Sequence, residues 1–268
     1  MRLSVAAVCD RGCVREHNED MVLVGEELLR DRKLEIVVNL VQGHRPFICA
    51  VADGMGGHHA GEAASEIALT MLLGSVESIE DGLAPGELAE RFRRRAHETH
   101  ARLLEEGRAD PTRKGMGTTL IGVLFYEGRA FYMNAGDSRL YRFRGGNLMQ
   151  VSRDHSLREV TRDPNSPSNV IVNSLGGSER MFLDFDPVGS KLLDGDALLL
   201  CSDGLTGMLP DDDIEKMIAG GASAQVLADS AKTRGGEDNL SVILVRVEQV
   251  DVSCAVDTAK GDLRCESL

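Results

Sequence analysis

No run in the 268 residues approaches the roughly 20 consecutive apolar positions that a membrane-spanning helix needs. The opening MRLSVAAVCDRG carries one arginine and a short apolar run, too brief for the core and flank of a secretory signal. The six cysteines, Cys9, Cys13, Cys49, Cys201, Cys254 and Cys265, contain no CxxC pair. In a chain this long they do not read as a disulfide framework, so reduced thiols and a cytoplasmic location are expected. Positive charge is also short: 30 Lys and Arg stand against 43 Asp and Glu, a formal net charge of −13. A surface that acidic repels phosphate backbones and anionic lipid heads, which argues against nucleic acid and membrane as partners. Internal repeats and low-complexity linkers are absent as well, so residues 1–248 read as one domain. The segment Gln249–Leu268 lacks periodicity and aromatics and reads as a disordered tail.

Hydrophobic residues make up 42% of the chain and charged residues 27%, enough to bury a core. β-branched and apolar content predicts strands at Arg2–Val8, Ile36–Leu40, Phe47–Ala52, Thr119–Tyr126, Arg129–Ala135, Arg139–Arg144, Ala197–Ser202 and Leu240–Val247. Turns at Tyr126-Glu127-Gly128-Arg129 and Arg144-Gly145-Gly146-Asn147 predict hairpins, so the middle of the chain reads as an antiparallel meander. Helical periodicity starts at Gly61, with Ala64, Ile67, Ala68, Met71 and Leu72 on one face. A second helix spans 85–106, with Pro85 in its first turn and Leu88, Phe92, Ala96 and Leu103 on one stripe opposite Arg93-Arg94-Arg95. A third begins near Asp211, whose carboxylate is expected to cap it. A fourth covers 223–233 and stops at Gly235-Gly236. Without a regular βαβ rhythm, the class is α+β.

Carboxylates recur where these strands begin or end. Asp53 closes an apolar run, and four of the next eight residues are glycine. Asp203-Gly204 follows Ala197–Ser202, Asp137 follows Ala135-Gly136, Asp238 precedes the last strand, and Glu19-Asp20 precede Met21–Val24. One Asp-Gly after a strand reads as a turn. Five such positions on the strand ends of one packed domain would share a rim, where unpaired carboxylates repel. Hard divalent cations with oxygen ligands would hold them together. Gly54 leaves its carbonyl open to such an ion.

Six stretches carry a resemblance. They are Gly12-Cys13-Val14-Arg15-Glu16-His17-Asn18-Glu19-Asp20, Val51-Ala52-Asp53-Gly54-Met55-Gly56-Gly57-His58, Gly117-Thr118-Thr119, Gly136-Asp137-Ser138-Arg139, Ser202-Asp203-Gly204-Leu205 and Glu237-Asp238-Asn239-Leu240-Ser241. In this order, over residues 3–247, the chain resembles the PPM family of metal-dependent Ser/Thr protein phosphatases, in its bacterial form. The resemblance implies two antiparallel β-sheets packed face to face and flanked by α-helices, an αββα sandwich. It implies Mn²⁺ or Mg²⁺, two per site with a weaker third. Asp53 would bridge two ions, the Gly54 carbonyl would bind one, and Asp203 and Asp238 would hold the other. Glu19 and Asp20 would orient metal-bound waters, Arg15 would hold the substrate phosphate, and Asp137 with Asp203 would form the third site. Arg15, Asp53, Asp203 and Asp238 are then the catalytic set.

The implied reaction hydrolyses phosphoserine and phosphothreonine in proteins. Paired cations lower the pKa of a shared water and neutralise phosphoryl oxygens, while Arg15 offers a planar fork to the phosphate. No Cys nucleophile is needed, and Cys9, Cys13 and Cys201 read as core residues. Met55 stands where animal members often carry a histidine, which leaves the general acid open between water and a residue such as His58 or His59. Those two histidines, at a helix start, also read as solvent-facing. The expected partners are phosphorylated proteins and a Ser/Thr kinase whose action the enzyme counteracts, with the chain working as a monomer in signalling. Two other readings stay open: an inactive relative that binds phosphoproteins or a regulator, and a small-molecule phosphomonoesterase. The intact Asp53, Asp203, Asp238 and Arg15 speak against the first.

Two regions depart from the family pattern. The segment between Asp20 and Asp53 is long and carries the charged run 26–33, which reads as an extended hairpin or loop with a surface or partner-docking role. The flap after Asp154-His155-Ser156 is short, with thirteen residues between His155 and Asn169, so an open cleft is expected. A short flap invites comparison with phosphatases that act beside bacterial Ser/Thr kinases, including those of type VI secretion clusters.

Overall fold

The strand Phe47–Ala52 is buried at all six positions, so it must be covered on both faces. Its alternate residues enter two different cores. Ile48, Ala50 and Ala52 join one apolar cluster, while Phe47, Cys49 and Val51 join another. A period of two side chains dictates that split, and it generates the layered architecture. The computed structural model describes residues 1–40, 45–56, 59–163, 165–167, 170–189 and 191–248.

In chain order the strands are β1 (Arg2–Asp10), β2 (Met21–Val24), β3 (Glu27–Leu29), β4 (Arg32–Asn39), β5 (Phe47–Ala52) and β6 (Gly54–Met55). They continue with β7 (Gly117–Thr118), β8 (Leu120–Tyr126), β9 (Arg129–Ala135), β10 (Arg139–Arg144) and β11 (Asn147–Gln150). The last three are β12 (Asp184–Pro187), β13 (Ala197–Cys201) and β14 (Leu240–Glu248). The helices are α1 (Ala60–Glu77), α2 (Pro85–Ala109), α3 (Leu157–Thr161), α4 (Asp203–Thr206), α5 (Asp211–Ala219) and α6 (Ala224–Thr233).

Two six-stranded antiparallel sheets face each other, in the orders β11-β10-β13-β14-β1-β4 and β12-β9-β8-β5-β2-β3, with a two-stranded β6-β7 pair beside them. Between them lies a core of Leu3, Val5, Val51, Ile121, Val123, Leu198, Leu200, Ile243 and Val245. The opposite face of the β5-β8 sheet, with Leu120 and Leu124, packs under Leu69 and Leu72 of α1 and Leu88, Phe92 and Leu103 of α2. The opposite face of the β13-β14 sheet, with Leu199, Val242 and Leu244, packs under Ile214 and Ile218 of α5 and Leu227 and Ala228 of α6. The result is an αββα sandwich of the α+β class.

α2 forms as its stripe predicts: Leu88, Phe92, Ala96 and Leu103 are buried, and the Ala84 N–H donates to the Glu87 carboxylate at 2.8 Å to satisfy the first turn. Phe92 and Phe131 both stack on Phe185, at 5.3 and 5.7 Å between centroids, which fixes the edge strand β12 to the helix layer.

Several sequence expectations are corrected. The central segment is not one meander, because β8 and β9 pair in one sheet while β10 pairs with β11 and β13 in the other. The chain crosses between sheets at Gly136-Asp137-Ser138, where Gly136 has φ 134° and a Cβ would stand 2.6 Å from Thr119. Asp211 does not cap α5; its carboxylate accepts the Tyr141 hydroxyl at 3.0 Å, and the cap position belongs to Pro210. Cys9, Cys49 and Cys201 are buried, but Cys13 is exposed, since its loop lies outside both sheets.

The long segment before Asp53 is extended, yet it is not one hairpin. β2 and β3 pair on the edge of one sheet, while β4 pairs with β1 on the edge of the other. Its charged run is not mere surface either. Arg30 donates to the Glu62 carbonyl at 2.7 Å, to the Ser65 hydroxyl at 3.0 Å and to the Asp20 carbonyl at 3.2 Å, tying this edge to α1. The flap leaves at Leu157 and returns at Val170, where Leu157 N–H donates to the Val170 carbonyl at 2.8 Å. Pro164 and Asn169 within it, His58, and the expected tail 249–268 lie outside the described residues.

Candidate active site

The ends of β2, β5, β9, β13 and β14 meet at one rim of the sandwich, and each brings a carboxylate. Asp53 follows β5 and is held by its backbone: its N–H donates to the Thr119 hydroxyl at 3.0 Å, and its carbonyl accepts the Thr119 N–H and the Thr118 hydroxyl, each at 2.9 Å. Burial raises the Asp53 carboxyl well above its ordinary range, and the charges of Asp20, Asp203, Asp137 and Asp238 raise it further. Asp203, at the start of α4, is raised by burial and by the charge of Asp238. Asp137 sits on the β9–β10 crossover, 8% exposed, and is pushed up to about 7 by burial and by Asp203.

Asp20 is fully buried, and burial pushes it up to about 7. One of its oxygens accepts the Ser202 hydroxyl at 2.8 Å, while Oδ1 has no partner among the described residues. An unpartnered carboxylate oxygen in so dry a place is costly. Glu19 is also raised, by burial first, with Arg15 opposing and Glu62 and Asp238 adding to the shift. The structure therefore brings Glu19, Asp20, Asp53, Asp137, Asp203 and Asp238 into one electrostatic neighbourhood.

Arg15 stands over this set. Its Nη2 donates to Asp238 Oδ2 at 2.7 Å, and Nε and Nη1 make no bond to a described residue. It is half-exposed, at the mouth of the cluster.

The glycines explain how backbone reaches the same place. A Cβ on Gly54 would lie 2.1 Å from the Gly61 carbonyl oxygen and 2.6 Å from that of Glu19. A Cβ on Gly61 would lie 2.7 Å from the Glu19 carboxyl carbon. Only glycine at both positions lets α1 approach β6 and Glu19 so closely. Ala60 and Ala64 are buried on the same helix, and their small side chains let it pack close to the sheet.

Several motif residues beyond the expected ligands organise the rim. Asn239 accepts the Glu19 N–H on Oδ1 at 2.8 Å and donates from Nδ2 to the Arg11 and His17 carbonyls at 3.0 and 2.8 Å. It thereby clamps the loop that carries Arg15. Thr118 and Thr119 fix Asp53, and Ser202 fixes Asp20. Arg139 forms a forked pair with Asp154, with Nη2 to Oδ2 at 2.7 Å and Nε to Oδ1 at 3.0 Å, which braces the Asp137 turn. Their signal was adjacency to the aspartates, but only the fold shows the partners. Of the two histidines considered for the general acid, His59 is exposed at the start of α1.

The donor set is all oxygen, anionic and converging, with an orphaned buried oxygen. Those features fit hard divalent cations such as Mn²⁺ and Mg²⁺. A family model of protein phosphatase 2C matches residues 38–244. The chain belongs to the protein phosphatase 2C family. It is a serine/threonine protein phosphatase of the bacterial type, as its motifs implied. The serine/threonine phosphatase stp of Listeria welshimeri is 32% identical over 250 residues, covering 88% of this chain and 92% of that protein. The solved catalytic domain of the serine/threonine protein phosphatase PstP, in complex with two manganese ions, has a TM-score of 0.70 at 30% identity, covering 92% of this chain and 100% of that one. PppA, a key regulatory component of T6SS in Pseudomonas aeruginosa, has a TM-score of 0.72 at 28% identity, covering 91% of this chain and 97% of that one. No helix among the described residues of this phosphatase is long and apolar enough to cross a membrane.

Proposed function

We propose that this phosphatase hydrolyses phosphoserine and phosphothreonine in proteins with two Mn²⁺ or Mg²⁺ ions, opposing a Ser/Thr kinase in the cytoplasm as a monomer. The observation that carries the reading is the convergence of Asp53, Asp20, Asp203 and Asp137 at one rim, where burial and the charges of neighbouring carboxylates raise all four and Arg15 and Arg139 are the only cations that oppose them among the described residues. In this reading Asp53, the Gly54 carbonyl, Asp203 and Asp238 would hold the two ions. Asp137 with Asp203 forms a third, weaker site. Two bound cations supply an acidified water and neutralise the phosphoryl oxygens.

The chain's own groups do the rest. Asp20 offers its unpartnered Oδ1 to a water, and Glu19, fixed through its N–H by Asn239, does the same from the α1 side. Arg15 presents Nε and Nη1 to the substrate phosphate while Nη2 stays on Asp238, so phosphate and carboxylate share one fork. Met55 offers no titratable proton, and water serves as the acid for the leaving alkoxide. The short flap leaves room for a folded protein substrate above the rim.

Hydrolysis of phosphoserine, phosphothreonine and phosphotyrosine peptides, with Mn²⁺, Mg²⁺ or chelator, tests the reading. Release of phosphate from the first two, dependent on metal, is expected. Binding of these peptides without turnover would favour the inactive relative, and turnover confined to small phosphomonoesters would favour the third reading.

A further inference from the structure

His17, His59 and Glu62 form a second cluster beside the carboxylate rim, and it has a different chemistry. One ligand atom from each lies within 4.8 Å of the other two. The two imidazoles approach opposite oxygens of one carboxylate: His59 Nδ1 is 3.2 Å from Glu62 Oε2, and His17 Nδ1 is 3.6 Å from Glu62 Oε1. The rings meet edge to face at 5.0 Å.

The three residues come from two separately braced segments. His17 lies on the loop clamped by Asn239, which donates to the His17 carbonyl at 2.8 Å. His59 and Glu62 lie three apart at the start of α1, and the Glu62 carbonyl accepts Arg30 at 2.7 Å. Backbone position is thus set without the side chains, which leaves the imidazoles free to bind. Both rings are exposed, with 52% and 74% of the side chain accessible, so an ion has an entry path and an open ligand position.

We propose that His17, His59 and Glu62 form a zinc site at the rim of the cleft, separate from the oxygen-lined centre. Two imidazole nitrogens and one carboxylate are a donor set that zinc takes readily with water in the fourth place. Mn²⁺ and Mg²⁺ favour the all-oxygen set instead. The two sites therefore sort ions by ligand type. Zinc here ties the loop bearing Arg15 and Glu19 to the first turn of α1, and so stiffens the part of the rim that carries the proposed phosphate ligand.

The test uses the whole chain saturated with Mn²⁺, titrated with Zn²⁺, freed of unbound metal and analysed for both elements. The wild type is expected to retain one zinc more than the His17→Ala/His59→Ala double variant, with manganese unchanged between them. Each single variant should weaken zinc binding at least tenfold, and the rise in Tm caused by zinc should be lost in the double variant. X-ray absorption at the zinc edge of the wild type should show imidazole nitrogen, which keeps the test decisive if a variant folds poorly. Equal zinc in wild type and double variant, or an all-oxygen zinc spectrum, would overturn the proposal and leave an ordinary ion pair between the histidines and Glu62.

Discussion

Replacing Asn239 by alanine removes three hydrogen bonds that hold the loop 11–19 against the start of β14, those to Glu19 N–H and to the Arg11 and His17 carbonyls. Asn239 is 6% exposed, so the groups left behind are poorly placed to find water. At about 1 kcal/mol net per bond, the loss is roughly 3 kcal/mol. For a domain of this size that lowers Tm by about 6–12 °C. The loop also carries Arg15, and Glu19 loses the bond that orients it. Turnover of a phosphothreonine peptide at saturating Mn²⁺ should therefore fall at least about tenfold in kcat/KM, about 1.4 kcal/mol of transition-state stabilisation. Asn239→Asp keeps the acceptor for Glu19 N–H but sets a carboxylate oxygen against the Arg11 and His17 carbonyls, so its loss should be at least as large as that of alanine. Thermal unfolding and peptide kinetics on the three proteins measure this. An alanine variant with wild-type Tm and wild-type kcat/KM would refute the clamp.

Arg15→Ala should raise KM for a phosphopeptide by about 10- to 100-fold, as loss of a charged hydrogen-bonding group predicts, with little change in Mn²⁺ affinity; a collapse of metal affinity at unchanged KM would give Arg15 the opposite role. Asp137→Ala should keep two manganese ions by crystallography and lose most peptide turnover; a folded variant with full activity at saturating metal would reduce Asp137 to a turn residue. Asp20 and Asp137 have folded pKa values raised to about 7, above the unfolded value of about 3.9. Groups raised in this way contribute stability that is present below about pH 4 and lost as pH rises through about 7. The Tm of metal-free protein should therefore fall from pH 5 to pH 8, and Mn²⁺ should raise Tm more at pH 8 than at pH 5; a Mn²⁺ effect independent of pH would contradict the shared site.

The fold was legible where a strand carries a long unbroken or alternating apolar run. Phe47–Ala52, Arg129–Ala135 and Arg139–Arg144 match the expected bounds because unbroken apolar or alternating runs have few other solutions. Asp184–Pro187 was not legible: its two aspartates and proline deny it a pattern, and it is a strand because Phe185 packs beneath Phe92 and beside Phe131. The division of β9 and β10 between sheets was hidden too, since local turn chemistry does not record which sheet a strand joins. At the site, the aspartates were visible as interruptions of apolar runs. Their braces, Asn239, Ser202, Thr119 and Arg30, were not, because each acts on a residue distant in sequence. The His17–Glu62 pairing spans 45 positions for the same reason.

Anomalous diffraction at the manganese edge from wild-type and Asp53→Asn crystals, with peptide turnover measured on the same preparations, tests the dinuclear account most directly. Asn keeps the size of the side chain and its place after β5 while halving its capacity to bridge two ions. The account predicts two strong peaks in the wild type, held by Asp53, Gly54, Asp203 and Asp238. It predicts weakened or absent peaks and loss of nearly all turnover in Asp53→Asn. Wild-type turnover in that variant, or manganese bound away from these residues in an active wild-type protein, would contradict it.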